Sequence, residues 1–63
     1  MCIATVYVDS SDERKEAMRD VIRIEAEDSG FRLVGLLGEE KHIEGRLKSV
    51  DFWQEHSAVI EHH

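Results

Sequence analysis

Turn-forming clusters divide this chain into short runs, and their spacing limits the possible fold more than any other feature. The clusters occupy residues 9–12, 28–30, 38–40 and 54–57, and the chain contains no proline. Between them, apolar and polar residues alternate with the period of two that is typical of a strand. Short strands joined by frequent turns are typical of a small barrel or a strongly bent sheet. The pattern therefore predicts an all-β fold.

The opening run, residues 1–8, is predicted to form the first strand. Its alternate residues Cys2, Ala4, Val6 and Val8 would lie on one face of that strand. Apolar residues also occur on the opposite face, so we expect this strand to be covered on both sides.

The segment after residue 12 allows two interpretations. Ser10 followed by Glu13 fits a capping box, and the apolar residues that come next fall at helical spacing. Against a helix, Ile22 and Ile24 alternate with charged residues in a stretch rich in β-branched side chains. We predict a strand from about Met18 to Glu27, and the family resemblance described below decides this choice.

The second half of the chain is predicted to contain a hairpin turn, a bend and three further strands. Asp28, Ser29 and Gly30 would form the turn, with Gly30 at positive φ. Gly35 interrupts an apolar run and indicates a bend or bulge. The strands are expected over residues 42–48, 50–53 and 58–60.

Composition limits the classes of partner. The chain has 14 acidic and 8 basic residues, a formal net charge of −6. An acidic surface repels phosphates, and Arg46 and Lys48 on one strand make a weak basic patch, so nucleic acid is an unfavourable partner. The single cysteine cannot form an intramolecular disulfide. With no secretory or membrane-spanning stretch, we expect a cytoplasmic protein that does not contact membranes.

Cys2 gives the most specific functional hypothesis in the sequence, which is metal binding. The Met1 amine, the Cys2 amide nitrogen and the Cys2 sulfur would together form a flat, tridentate chelate. Nickel(II) and copper(II) favour such square-planar, nitrogen-rich sites, whereas zinc prefers a tetrahedron. The alternative is that Cys2 is a small buried hydrophobic residue with no chemical role.

Further donors depend on the state of the amino terminus. If Met1 is removed, Cys2 offers its amine and thiolate, and the backbone amide of Ile3 becomes a candidate donor. His42 is the first candidate for a side-chain donor and His56 the second. The alternative for each histidine is an exposed residue on a strand or turn, because no other ligand stands at metal-binding spacing beside it.

Four stretches of the chain resemble the CooT family, small nickel-binding proteins associated with the maturation of carbon monoxide dehydrogenase. The stretches are Met-Cys-Ile-Ala-Thr-Val-Tyr-Val at residues 1–8 and those at residues 20–25, 38–41 and 45–51. The resemblance implies a small all-β barrel that binds Ni(II) through the cysteine at position 2. Many members of the family are also described as predicted RNA-binding proteins.

The residues and the resemblance together give a set of expectations. The fold is a small SH3-like barrel or a highly bent antiparallel sheet of about five or six short strands, in a single domain over residues 1–63. The function is that of a non-enzymatic nickel(II)-binding accessory protein, because so short a chain leaves little room for a substrate pocket. Partners would be the nickel ion, a nickel enzyme such as carbon monoxide dehydrogenase, and a second copy that covers exposed strand edges.

Two alternatives remain open. The chain is a small RNA- or protein-binding module in which Cys2 is structural, or an inert, metal-stapled subunit of a larger assembly.

Overall fold

The computed structural model describes residues 3–62, which form six strands in one bent sheet. The strands are β1 (Ala4–Ser10), β2 (Glu13–Glu27), β3 (Gly30–Gly35), β4 (Glu40–Glu44), β5 (Arg46–Asp51) and β6 (Ser57–His62). Their order across the sheet is β4-β3-β2-β1-β6-β5. Residues 3–62 contain no helix, so the all-β prediction is confirmed. No helix in this part of the chain is long and apolar enough to cross a membrane.

β2 is the longest strand and takes part in both halves of the sheet. Its first half pairs with β1 and its second half pairs with β3, both antiparallel. Asp20 lies between the halves with a φ of 55°, and the register shifts near this point. The predicted strand over Met18–Glu27 is therefore confirmed, and the helical alternative is wrong. Pairing with β1 overrides the local capping signal, because Ser10 and Glu13 pair with each other across the two strands.

A single glycine divides the strand that was predicted over residues 42–48. Gly45 has a φ of 142° and lies between β4 and β5, which occupy opposite edges of the sheet. Its Cα lies so close to the Glu61 carbonyl that a side chain would clash with it. The chain therefore crosses from one edge to the other at this corner, and the sheet curves round without closing by hydrogen bonds.

β1 and β6 pair in parallel, which differs from the wholly antiparallel sheet expected from the sequence. The register runs from Thr5 with Ser57 to Ser10 with His62, so the first and last strands lie side by side. The other four strand pairs are antiparallel, as predicted.

Two local predictions are corrected. The strand expected over residues 50–53 ends at Asp51, and residues 52–55 form a bend. The hairpin turn before β3 is present, but Gly30 does not have the positive φ expected of it. Gly30 is instead needed for close approach, because a Cβ at this position would clash with the Ile43 carbonyl.

The core is small and lies along the middle strands. Its fully or almost fully buried apolar residues are Val6, Val21, Leu33, Ala58, Val59 and Ile60. Partly buried side chains from β2, β3 and β4 pack against this cluster. Six such residues leave much apolar surface outside, as expected for a chain of this length.

We predict that Gly45→Ala destabilises the protein more than Gly38→Ala. Both glycines have positive φ, so each alanine carries backbone strain of about 1–3 kcal/mol. Only Gly45 faces a neighbouring backbone, since nothing lies near the position of a Cβ on Gly38. The additional loss for Gly45→Ala should be on the order of 1 kcal/mol or more in urea unfolding. Equal losses would show that the corner at Gly45 is not closely packed.

Candidate functional site at the amino-terminal end of the sheet

The start of β1 is tied to the segment that leads into β6. The Thr5 amide donates a hydrogen bond to the His56 carbonyl, with a nitrogen-to-oxygen distance of 3.1 Å. His56 itself has a φ of 51°, a left-handed conformation in which histidine is enriched among non-glycine residues. Ile3, just before β1, is 37% exposed. The predicted ligands Met1 and Cys2 lie outside the described residues.

An apolar cleft of about 480 Å³ opens beside this end of the sheet. It lies between the second half of β2 and the β5–β6 side of the sheet. Its lining consists of Ile3, Ala4, Val21, Ile22, Arg23, Ile24, Ala26, Phe31, Leu47, Val50, Phe52, His56 and Ala58. The sequence was expected to leave little room for a pocket. The structure instead has this cleft, lined by residues from both halves of the chain.

The two candidate histidines occupy different parts of the sheet. His56 shares the lining of the cleft with Ile3. His42 lies on β4, and both β3 and β2 stand between that strand and β1. Its Nε2 lies 3.5 Å from a carboxylate oxygen of Glu27. The structure therefore brings His56, and not His42, next to the amino-terminal residues that it describes.

Residues 3–62 contain no group of three His, Cys, Asp or Glu side chains placed to hold a metal ion. A metal site that used Met1 and Cys2 would lie outside these residues. A thiolate with backbone nitrogens is a donor set that suits Ni(II), so the residues present fit that ion chemically.

All eight Lys and Arg side chains, which lie within the described residues, have a partner. Lys41 Nζ donates to the Ala17 carbonyl. The other seven pair with carboxylates: Arg14 and Lys48 with Asp9, Lys15 with Glu13, Arg19 with Glu16, Arg23 with Glu25, Arg32 with Glu25, Glu27 and Glu40, and Arg46 with Glu61.

Two of these ion pairs hold Asp9 on β1. Arg14 and Lys48 approach its carboxylate to 2.6 and 2.9 Å, and their hydrogen bonds lower the pKa of Asp9 far below its usual range. Lys48 was one of the two cations of the candidate basic patch. The other, Arg46, pairs with Glu61, so neither projects as a free positive charge.

The bend after β5 is organised by Asp51. One of its carboxylate oxygens accepts hydrogen bonds from the Trp53 amide at 2.8 Å and the Gln54 amide at 2.9 Å. Both hydrogen bonds lower the pKa of Asp51, and the bond from Gln54 has the larger effect. Phe52 and Trp53 are 76% and 88% exposed. Both aromatic residues were predicted to lie in a strand. The overlooked signal in the sequence is Asp51, whose side chain favours a turn.

The chain is similar to a known protein family and to a solved structure. The family model described as CO dehydrogenase accessory protein CooT matches residues 1–61. A crystal structure described as a CooT from Carboxydothermus hydrogenoformans superposes with a TM-score of 0.87, covers 98% of both chains and is 19% identical. At that identity the similarity establishes the fold alone. No curated protein matches this chain.

We predict that Asp51→Ala loosens the bend after β5, whereas Asp51→Asn largely keeps it. Asparagine retains a side-chain oxygen that can accept the two amide hydrogen bonds, and alanine does not. Hydrogen exchange of the Trp53 and Gln54 amides should therefore accelerate in Asp51→Ala alone.

The same bend should depend on pH with a defined sign. The pKa of Asp51 is lower in the folded protein than its ordinary value of 3.8, so its stabilising effect is complete above that pH. The effect is lost only as the pH falls through the lowered pKa. We expect the two amides to stay protected from hydrogen exchange at pH 4 and to lose this protection in more acidic solution. Loss of protection near neutral pH would contradict this assignment.

Proposed function

The chain belongs to the CooT family of CO dehydrogenase accessory proteins, and we propose that it binds nickel(II) as cargo and assists the maturation of carbon monoxide dehydrogenase. The observation that carries this proposal is the family match, which extends over residues 1–61 and so includes Cys2. An accessory role also agrees with the expectation that this chain is not itself an enzyme. We place this activity in the cytoplasm, where a single thiol stays reduced.

In this proposal the Cys2 thiolate is the principal donor. The Met1 amine and the Cys2 amide complete a flat chelate, or the Ile3 amide contributes if Met1 is removed. Support comes from residues 3–62, in which no three candidate side chains come together. Of the two histidines, His56 is the better additional donor, because its carbonyl is bonded to Thr5 and its residue lines the same cleft as Ile3. His42 on β4 is the second candidate.

The pairing of the cations favours a metal-handling role over RNA binding. Phosphate recognition depends on Lys and Arg side chains that are free to replace counterions. In this chain seven of the eight contact carboxylates, and the formal net charge is −6. Excess carboxylate has the opposite effect on metal cations, whose approach it modestly favours.

A homodimer is the second part of the proposal. β4 and β5 are the outer strands of the sheet, and each is paired on one side only within the described chain. Exposed strand edges are pairing surfaces, and a small core gains from additional buried area. If a two-fold axis brought the amino termini together, two Cys2 thiolates would share one metal ion.

We predict that Ni(II) binding depends on Cys2. Titration of Ni(II) into the protein with its native terminus should give a saturable thiolate-to-nickel charge-transfer absorption that Cys2→Ser lacks. Mass spectrometry of the same sample establishes whether Met1 is present and therefore which nitrogens are available.

His42→Ala and His56→Ala serve as the matched controls for this titration. The charge-transfer band should persist in both, and a shift of the band in one variant would identify that histidine as the additional donor. Equal nickel binding by the native and Cys2→Ser proteins would place the metal elsewhere. The interpretation of Cys2 as a structural residue would then be favoured.

We also predict that the protein is a dimer at micromolar concentration. Multi-angle light scattering should give twice the chain mass of 7.3 kDa. Measurements with and without Ni(II) test whether the metal contributes to association. A monomer under both conditions would exclude the shared site.

A further inference from the structure

The bend between β5 and β6 displays two aromatic side chains that the fold does not use. We call Asp51–Glu55, with the sequence Asp-Phe-Trp-Gln-Glu, the acidic-aromatic loop. Phe52 is 76% exposed and Trp53 is 88% exposed, in a chain whose apolar core has only six buried residues. Aromatic side chains contribute most to a core when they are buried. Trp53, the only tryptophan in the chain, therefore contributes almost nothing to folding.

The acidic-aromatic loop is held in place at both ends. Asp51 accepts hydrogen bonds from the amides of Trp53 and Gln54 at its start. After its end, the His56 carbonyl accepts a hydrogen bond from Thr5 on β1. A fixed backbone lowers the entropy that is lost when exposed side chains bind a partner. These contacts therefore preorganise the two aromatic residues for recognition.

One of the two aromatic residues, Phe52, is continuous with other exposed apolar surface. Phe52 lines the apolar cleft together with Leu47 and Val50, which are 49% and 41% exposed. Ile22, on the facing side of the cleft, is 48% exposed. Isolated apolar residues are common on protein surfaces, whereas a contiguous exposed patch marks a site of interaction.

Charge defines the kind of partner that fits this patch. Asp51 and Glu55 flank the aromatic residues, and neither forms an ion pair within the described chain, although seven other carboxylates do so with Lys or Arg. A complementary surface has an apolar pocket for Phe52 and Trp53 and a rim of Lys or Arg side chains.

We propose that the acidic-aromatic loop is the docking element through which this chain engages CO dehydrogenase, at an apolar pocket with a cationic rim. This inference rests on the accessory role proposed above. The hydrogen bond from Thr5 to His56 ties the end of the loop to the start of β1. Docking of the loop therefore brings the start of β1 close to the same partner.

The fluorescence of Trp53 reports docking directly in the protein without substitutions. The emission of CO dehydrogenase itself is subtracted. Nickel-free CO dehydrogenase is titrated into the protein, and the fluorescence of Trp53 is followed. We expect a saturable blue shift and protection from an aqueous quencher, with weaker affinity at higher salt because the rim contacts are ionic. Unchanged Trp53 emission at saturating CO dehydrogenase would overturn the proposal.

Variants separate the acidic-aromatic loop from the rest of the surface. Phe52→Ala and Trp53→Ala, measured by calorimetry, should each weaken binding at least about tenfold, as expected of central aromatic anchors. Leu37→Ala is the matched control, because Leu37 is an equally exposed apolar residue, at 89%, outside the loop and the cleft. Equal affinities for Leu37→Ala and Trp53→Ala would contradict a specific role for the loop.

Nickel titrations of the same variants separate this inference from the proposed function. Phe52→Ala and Trp53→Ala should keep the nickel absorption, and Cys2→Ser should keep docking to the nickel-free enzyme. Docking without any nickel binding would remove the cargo role and leave the docking surface in place. A blue shift that depends on the concentration of this protein alone would assign the loop to contact between two copies and overturn the inference.

Discussion

The structure depends on the position of β1, which is hydrogen-bonded on both of its edges. β1 pairs with β2 on one side and with β6 on the other. Val6 at its centre and Ala58 and Ile60 on β6 are fully or almost fully buried. Without β1, the β2–β3–β4 and β6–β5 parts of the sheet would have no connection through hydrogen bonds. In sequence, the candidate metal donors directly precede this strand.

A small core explains how the remaining side chains are used. The chain buries six apolar residues and leaves large ones such as Leu37, Phe52 and Trp53 in solvent. Surface ion pairs contribute little stability individually, but they occupy the basic side chains and leave carboxylates in excess. The resulting surface is acidic, with an apolar cleft and two displayed aromatic residues at one end. Such a surface suits a protein that handles a cation and meets a protein partner.

The donor chemistry of the candidate site stays a prediction from the sequence, and the surroundings of the site were not predicted. Cys2 was identifiable because a thiol beside the chain's amine and amide nitrogens is a chelating donor set wherever the chain folds. The sequence offered His42 before His56 as a further donor, since spacing along the chain does not reveal which strand lies beside β1. The fold brings His56 to that strand through the Thr5 hydrogen bond. The cleft was missed for the same reason, because it arises between segments that are distant in sequence.

The sequence by itself determined the strand-forming runs, most of the turns and the all-β class, and the donor chemistry of Cys2 stays a prediction. These depend on the alternation of neighbouring side chains and on local turn chemistry, so they can be read along the chain. Only the tertiary structure decided the parallel pairing of β1 with β6 and the corner at Gly45. Each of these depends on contacts between residues far apart in sequence, such as Gly45 against Glu61. Strand order and burial are properties of such long-range contacts, and local periodicity does not encode them.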